Sequence, residues 1–195
     1  MKTYLSAAVA LLTFFSSVQA EVVDVLITWS PGLCQQTCGQ GLQRYLSEIP
    51  GVAQVDINLT SGSAKMRWKP NQPFNFSYID HATRVVGLPR ILNSRIKVRG
   101  TIQRSGDTFN LISLGDNTSF LLLGTTQPTP GRYEIQTSLY NRPLSEAIKN
   151  RLLESQRQHQ VVTIDGQLFE PVRQINPVII VENITVEKKE KMPGE

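Results

Sequence analysis

Cysteine and histidine are scarce in this chain: its 195 residues hold two of each, Cys34 and Cys38, His81 and His159. Two cysteines cannot build a disulfide framework for a chain this long, so hydrophobic packing must supply most of its stability. A structural zinc site normally takes four protein ligands, and these residues do not assemble into one. Aromatic residues make up only 7% of the sequence, which is thin for a surface that stacks nucleic-acid bases. Neither a Gly-x-Ser-x-Gly elbow nor a His-Glu-x-x-His helix occurs, and Ser30, Ser47, Asp80 and His81 form no catalytic constellation. The expectation is therefore a protein that is not an enzyme. After the first 20 residues no apolar run approaches the ~20 residues that a membrane-spanning helix requires.

Residues 1–20 read as a secretory signal peptide. Lys2 gives a positive start, Leu5 to Phe15 an apolar core, and Val18-Gln19-Ala20 a small-x-small cleavage pattern. Cleavage leaves a chain that begins near Glu21, has no transmembrane anchor, and is exported to the periplasm or secreted. Its formal charge falls from +4 to +3 with the loss of Lys2. So small an excess does not call for a polyanionic partner.

The first half alternates strand and helix patterns. Val23, Val25 and Ile27 alternate with Asp24, Leu26 and Thr28 in a first strand that ends at Trp29, where Ser30-Pro31-Gly32 breaks it. Leu42, Leu46 and Ile49 then recur at helical spacing, up to Pro50-Gly51. Val55, Ile57 and Leu59, followed by Ala64, Met66 and Trp68, give a hairpin with one buried and one wet face. Ser77 to Asp80 fits a capping box, with Ile79, Ala82 and Val86 as the stripe of a second helix that Gly87-Leu88-Pro89 stops. A short strand around Ile91 and Leu92 would complete a βαββαβ unit.

These residues resemble a known family. Gly32-Leu33-Cys34 through Cys38, Ile49-Pro50-Gly51-Val52, Val55, Leu59, Gly62-Ser63-Ala64, Trp68, Pro70, Ile79, Ala82 and Gly87 look like a heavy-metal-associated domain, the ferredoxin-like module of copper chaperones and metal-transporting ATPases. The resemblance covers about residues 22–93. It implies a ferredoxin-like fold in which Cys34 and Cys38 bind a soft metal ion. The family usually has Gly-Met-x-Cys-x-x-Cys; here three residues separate the cysteines and Gly32 stands where the methionine would fall.

The second half is strand-rich. Ile96 and Val98 alternate with Arg95, Lys97 and Arg99; strands from Phe109 to Ser113 and from Ser119 to Leu123 follow turns at Ser105-Gly106-Asp107 and Gly115-Asp116-Asn117. A loop spans Thr125 to Arg132. A helix from Pro143 to about Gln158 places Leu144, Ala147, Ile148 and Leu152 near one face, and Val161 to Ile164 and Val178 to Val186 supply closing strands. Three strands, a helix and two strands resemble an OB-fold, with Val98-x-Gly100 and Ile164-x-Gly166 as its best local features. The expected architecture is thus α+β: a ferredoxin-like domain over residues 21–93, an OB-like barrel over 94–186, and a charged tail over 187–195.

Cys34 and Cys38 are the candidate site. Three states are open to them. As thiolates they suit a soft ion such as Cu(I); in an oxidising compartment they can form a disulfide; and if they lie on one helix, the face they share with Leu42 and Leu46 makes both ordinary packing. The leading expectation is an exported protein that binds or hands on a soft metal ion, copper among the candidates, with the barrel docking a protein partner. The alternative is a structural or protein-binding module in which Cys34 and Cys38 are bridged. A thiol-redox role is disfavoured by the absence of Cys-x-x-Cys.

Other features read as structural. His81 faces solvent, His159 lies at a loop edge, and Met66 shares the inward face of its strand with Ala64 and Trp68. Arg84, Arg90, Arg95, Lys97, Arg99 and Arg104 form a basic cluster, yet Phe109 and Phe120 alternate inward and Tyr133 and Tyr140 have no clear place on it. A solvated strand face is favoured over a nucleic-acid partner. Four glycosylation sequons, at Asn58, Asn75, Asn117 and Asn183, matter only in a eukaryotic secretory route, and a bacterial periplasm is the preferred compartment.

Overall fold

The computed structural model describes residues 22–32, 34, 36–88, 90–125, 142–169, 171, 172 and 176–187. The expected signal peptide, the loop beyond Thr125 with Tyr133 and Tyr140, and the tail beyond Glu187 lie outside the described residues. The elements run β1 (Val22–Thr28), α1 (Gln36–Ser47), β2 (Val52–Asn58), β3 (Ser63–Trp68), α2 (Phe76–Val85), β4 (Asn93–Ser105), β5 (Thr108–Ser113), β6 (Ser119–Leu123), α3 (Glu146–Arg157), β7 (Val162–Leu168) and β8 (Val178–Val186). The strands form one sheet in the order β2-β3-β1-β4-β5-β6-β8-β7, and a further pairing of β4 with β7 closes the last five into a barrel. The chain is α+β with a small closed barrel.

In the first half the alternation of β-branched and polar residues does what it suggests. Val25 and Ile27 are fully buried and stand opposite Met66 and Ala64 of antiparallel β3, themselves fully buried. α1 lays Leu42 and Leu46, and α2 lays Ile79 and Ala82, into the same core. The start of α2 differs from the expected capping box. Asn75, two residues earlier, is the N-cap: its Oδ1 accepts from the backbone N of Ser77 at 2.9 Å and from its hydroxyl at 2.7 Å. A short amide side chain here satisfies orphan helix donors without help from Asp80, which instead pairs with Arg84 one turn on.

No strand forms around Ile91 and Leu92. Leu92 donates its N–H to Thr28 O at 2.8 Å, but its side chain stays 56% exposed, and regular pairing with β1 begins only at Asn93. The strand that follows is 13 residues long and serves both halves of the molecule. Asn93–Val98 pairs with β1, Arg95–Gly100 with β7, and Gly100–Ser105 with β5. Close approach of neighbouring strands in the barrel is possible because two positions lack side chains. A Cβ on Gly100 would sit 2.3 Å from Ile112 O, and one on Gly166 2.1 Å from Ile180 O, so neighbouring backbones approach as only glycine permits.

One core runs through both halves. Trp68 and Phe74 meet edge to face at 5.3 Å between ring centroids, and Phe74 reaches Phe120 of β6 at 6.0 Å. From there Leu111, Leu122, Val162 and Ile164 continue the same buried cluster through the barrel. α3 lies in sequence between β6 and β7, is capped by Ser145, and buries Leu152 and Ser155. Ala147, placed by pattern on the inner face, is exposed.

Candidate functional site

Cys34 and Cys38 are joined in a disulfide with their Cα atoms 5.3 Å apart. The two do not share a helix: α1 starts at Gln36, so Cys38 lies in its first turn and Cys34 in the connection that precedes it. The bond therefore clips the strand-to-helix connection onto the helix. Cys34 is 3% exposed and belongs to the core, while Cys38 is half-buried against it. Packing and bonding, set apart as alternatives by sequence, coexist.

The neighbourhood is held by backbone. Trp29, buried at the end of β1, donates its N–H to Gly62 O at 2.8 Å, which ties the cysteine-bearing connection to the β2–β3 turn. Gly62 has φ +64°, and a Cβ there would meet Trp29 O at 2.4 Å, so this turn needs glycine for both its conformation and its close approach. In α1, Gly39 faces the Leu59 side chain, 2.9 Å from where its own Cβ would stand. Gln43 Nε2 donates to Val55 O of strand β2 at 3.0 Å. Trp29 Nε1 is buried without a hydrogen-bond partner among the described residues.

The remaining candidates scatter. His81 and His159 are both exposed, and Met66 is fully buried between Ala64 and Trp68. Among the described residues no group of three or more His, Cys, Asp or Glu side chains is placed to hold a metal ion. A soft ion at the pair, once reduced, would thus be held by two sulfurs.

The basic cluster is largely ion-paired. Arg95 reaches Asp165 at 3.0 Å and Glu182 at 2.7 Å; the hydrogen bond to Asp165 is the main reason its pKa stands above the ordinary arginine value. Arg99 holds Glu187 through two hydrogen bonds, the one from Nη2 to Oε2 measuring 2.7 Å, and these keep the carboxyl below the usual carboxylate range. Arg84 meets Asp80 at 2.9 Å and Arg104 meets Asp107 at 3.6 Å. Lys97 stands in register with Asp24 on one side and Asp165 on the other. The alternating strand charges that catch the eye in the sequence are met by carboxylates from chain segments up to 88 residues away.

One feature escaped the sequence altogether. An open groove of about 1000 Å³ lies where α2, the connection from Gly87 to β4, and the end of β7 come together. Its signal, Leu92 at the end of an apolar pair followed by β4, looked like a strand and not like a surface. Among the described residues no helix is long and apolar enough to cross a membrane. Compared with family models, curated proteins and solved structures, the chain matches none.

Proposed function

We propose that this is an exported, non-catalytic protein-binding module whose Cys34–Cys38 disulfide fixes the entry into α1. The observation that carries this reading is the bond itself, which takes up both sulfurs and buries Cys34 in the core. An oxidising compartment, the periplasm or the extracellular space, is where such a bond persists. The antiparallel order β4-β1-β3-β2, with α1 and α2 against it, supports the ferredoxin-like reading of residues 21–93. The circuit β4-β5-β6-β8-β7-β4, with α3 between β6 and β7 in the chain and β6 parallel to β8, supports the OB-like reading of 94–186. The ion pairs of Arg95, Arg99 and Arg104 favour a protein partner over nucleic acid, since charges already neutralised release few counterions.

A second reading rests on the position of the pair. Two sulfurs, one in the connection after β1 and one in the first turn of α1, stand where the heavy-metal-associated resemblance puts its ligands. Reduction would free both for Cu(I) or another soft ion. Titrating the native and the reduced chain with Cu(I), held against a competing chelator, separates the two. The protein-binding reading expects no stoichiometric uptake by the native chain and unchanged partner capture by a C34S/C38S variant. Uptake of one Cu(I) by the protein as isolated, abolished in Cys34→Ser, would replace it with metal handling.

A further inference from the structure

We infer that the groove between α2 and the barrel receives an extended peptide of a partner protein that carries apolar side chains alternating with carboxylates. The inference rests on the protein-binding reading above and names its site.

The β4–β7 ladder ends at Arg95 opposite Gln167. Beyond that point the two strands part. β4 runs back to Ser94 and Asn93 with only β1 beside it, and β7 runs on to Leu168 with only β8 beside it. All three residues line the groove. Two strand ends thus face one space with no strand between them among the described residues, which is the situation in which an extended segment adds its own backbone hydrogen bonds.

Asn93 Oδ1 is buried and has no hydrogen-bond partner among the described residues. A buried amide oxygen left unpaired is costly, on the order of 1–3 kcal/mol, and a donor supplied by a ligand removes that cost. Asn93 also lines the groove, so a turn of its side chain toward the groove would bring this oxygen to a backbone N–H of a peptide laid along β4.

Leu92 is 56% and Val172 52% exposed, and both line the groove, so two large apolar side chains face water at one place. Beside them stand Arg84, already paired with Asp80, and Arg90, exposed and without an ion pair among the described residues. Among the described residues the charged side chains that line the groove are two arginines and one aspartate, a net positive set. Apolar pockets flanked by an uncompensated cation select a peptide in which hydrophobic residues sit next to acidic ones. The same charge disfavours the chain's own lysine-rich segment Lys188 to Lys191 as occupant.

The test uses the full mature chain and two fluorescein-labelled octapeptides, one alternating Glu and Val and one alternating Lys and Val. Anisotropy should show saturable binding of the acidic peptide and at least about tenfold weaker binding of the basic one. R90E should lower affinity for the acidic peptide about tenfold, and L92D should abolish saturation, with circular dichroism unchanged for both variants. Equal binding of the two peptides, no binding of either, or indifference to R90E and L92D would overturn the groove. Cross-linking in the export compartment distinguishes this from failure of the broader reading. A partner captured equally by wild type and L92D would sink the groove and leave the module standing, whereas no partner together with no peptide binding would remove both. A concentration-dependent dimer that R90E dissolves would make a second copy the occupant and overturn the peptide proposal.

Discussion

The two halves of this molecule solve the problem of sheet edges differently. The barrel half closes on itself through β4 and β7, whose ladder stops at Arg95 and Gln167, where the two strands part. The first half leaves β2 as an open edge and relies on two helices, a side-chain bond from Gln43 to Val55 O, and a disulfide to hold its shape. Closure needs glycine at the points of tightest approach; coverage needs local clips. The shared strand β4 and the Trp68–Phe74–Phe120 ring contacts then couple the two, so that the main core spans both halves, with a small satellite cluster of Phe169, Val178 and Ile180 in the barrel half.

That coupling can be broken first at Phe120, which is fully buried in the barrel and touches Phe74 from the other half. Phe120→Ala should cost about 3–5 kcal/mol, and denaturant unfolding followed by Trp29 and Trp68 fluorescence should shift together with far-ultraviolet dichroism. Separate transitions would show two independent cores. Gly166→Ala attacks closure alone, since its Cβ would collide with Ile180 O. The expected loss is about 1–3 kcal/mol, with hydrogen-exchange protection falling first in β7 and β8.

Removing the clip should matter less. For a loop as short as Cys34 to Cys38, the chain-entropy account gives about 2 kcal/mol. C34S/C38S should therefore lower the melting temperature while faster exchange stays confined to β1, α1 and the β2–β3 turn. The smallest effect belongs to Glu187. Its pKa is depressed in the folded state by Arg99, so its stabilisation is present above the ordinary carboxylate pKa and is lost as pH falls through the folded value. Glu187→Gln should cost less than ~1 kcal/mol at neutral pH, and the difference from wild type should vanish on acidification.

The fold was legible wherever local pattern and tertiary environment agree. Val25 and Ile27, Ala64 and Met66, Ile79 and Ala82 are buried at the spacing their periodicity predicts. The glycines at 100 and 166 stand where two backbones crowd. What failed was local chemistry with two adjacent solutions. Asn75 and Ser77 both offer a cap, and the one with the buried Phe76 after it prevails. Ile91 and Leu92 are as apolar as a strand, but Leu92 points into the groove mouth, which only the meeting of distant segments creates. At the site, residue type and spacing located Cys34 and Cys38 without choosing their bond, because proximity in three dimensions comes from where α1 begins. The charges on β4 had readable positions and unreadable partners, since Asp165, Glu182 and Glu187 arrive through β7 and β8.

The central claim, that the native protein carries a bonded Cys34–Cys38 pair and acts by binding rather than by metal transfer, is tested most directly in place. Cells exporting the chain would be quenched with a thiol-alkylating reagent before lysis, and the mature protein weighed intact under non-reducing, native conditions. The account predicts an unalkylated chain, two hydrogens lighter than the dithiol and without bound metal. Two alkylated cysteines, or a one-metal mass increment that disappears in Cys34→Ser, would contradict it.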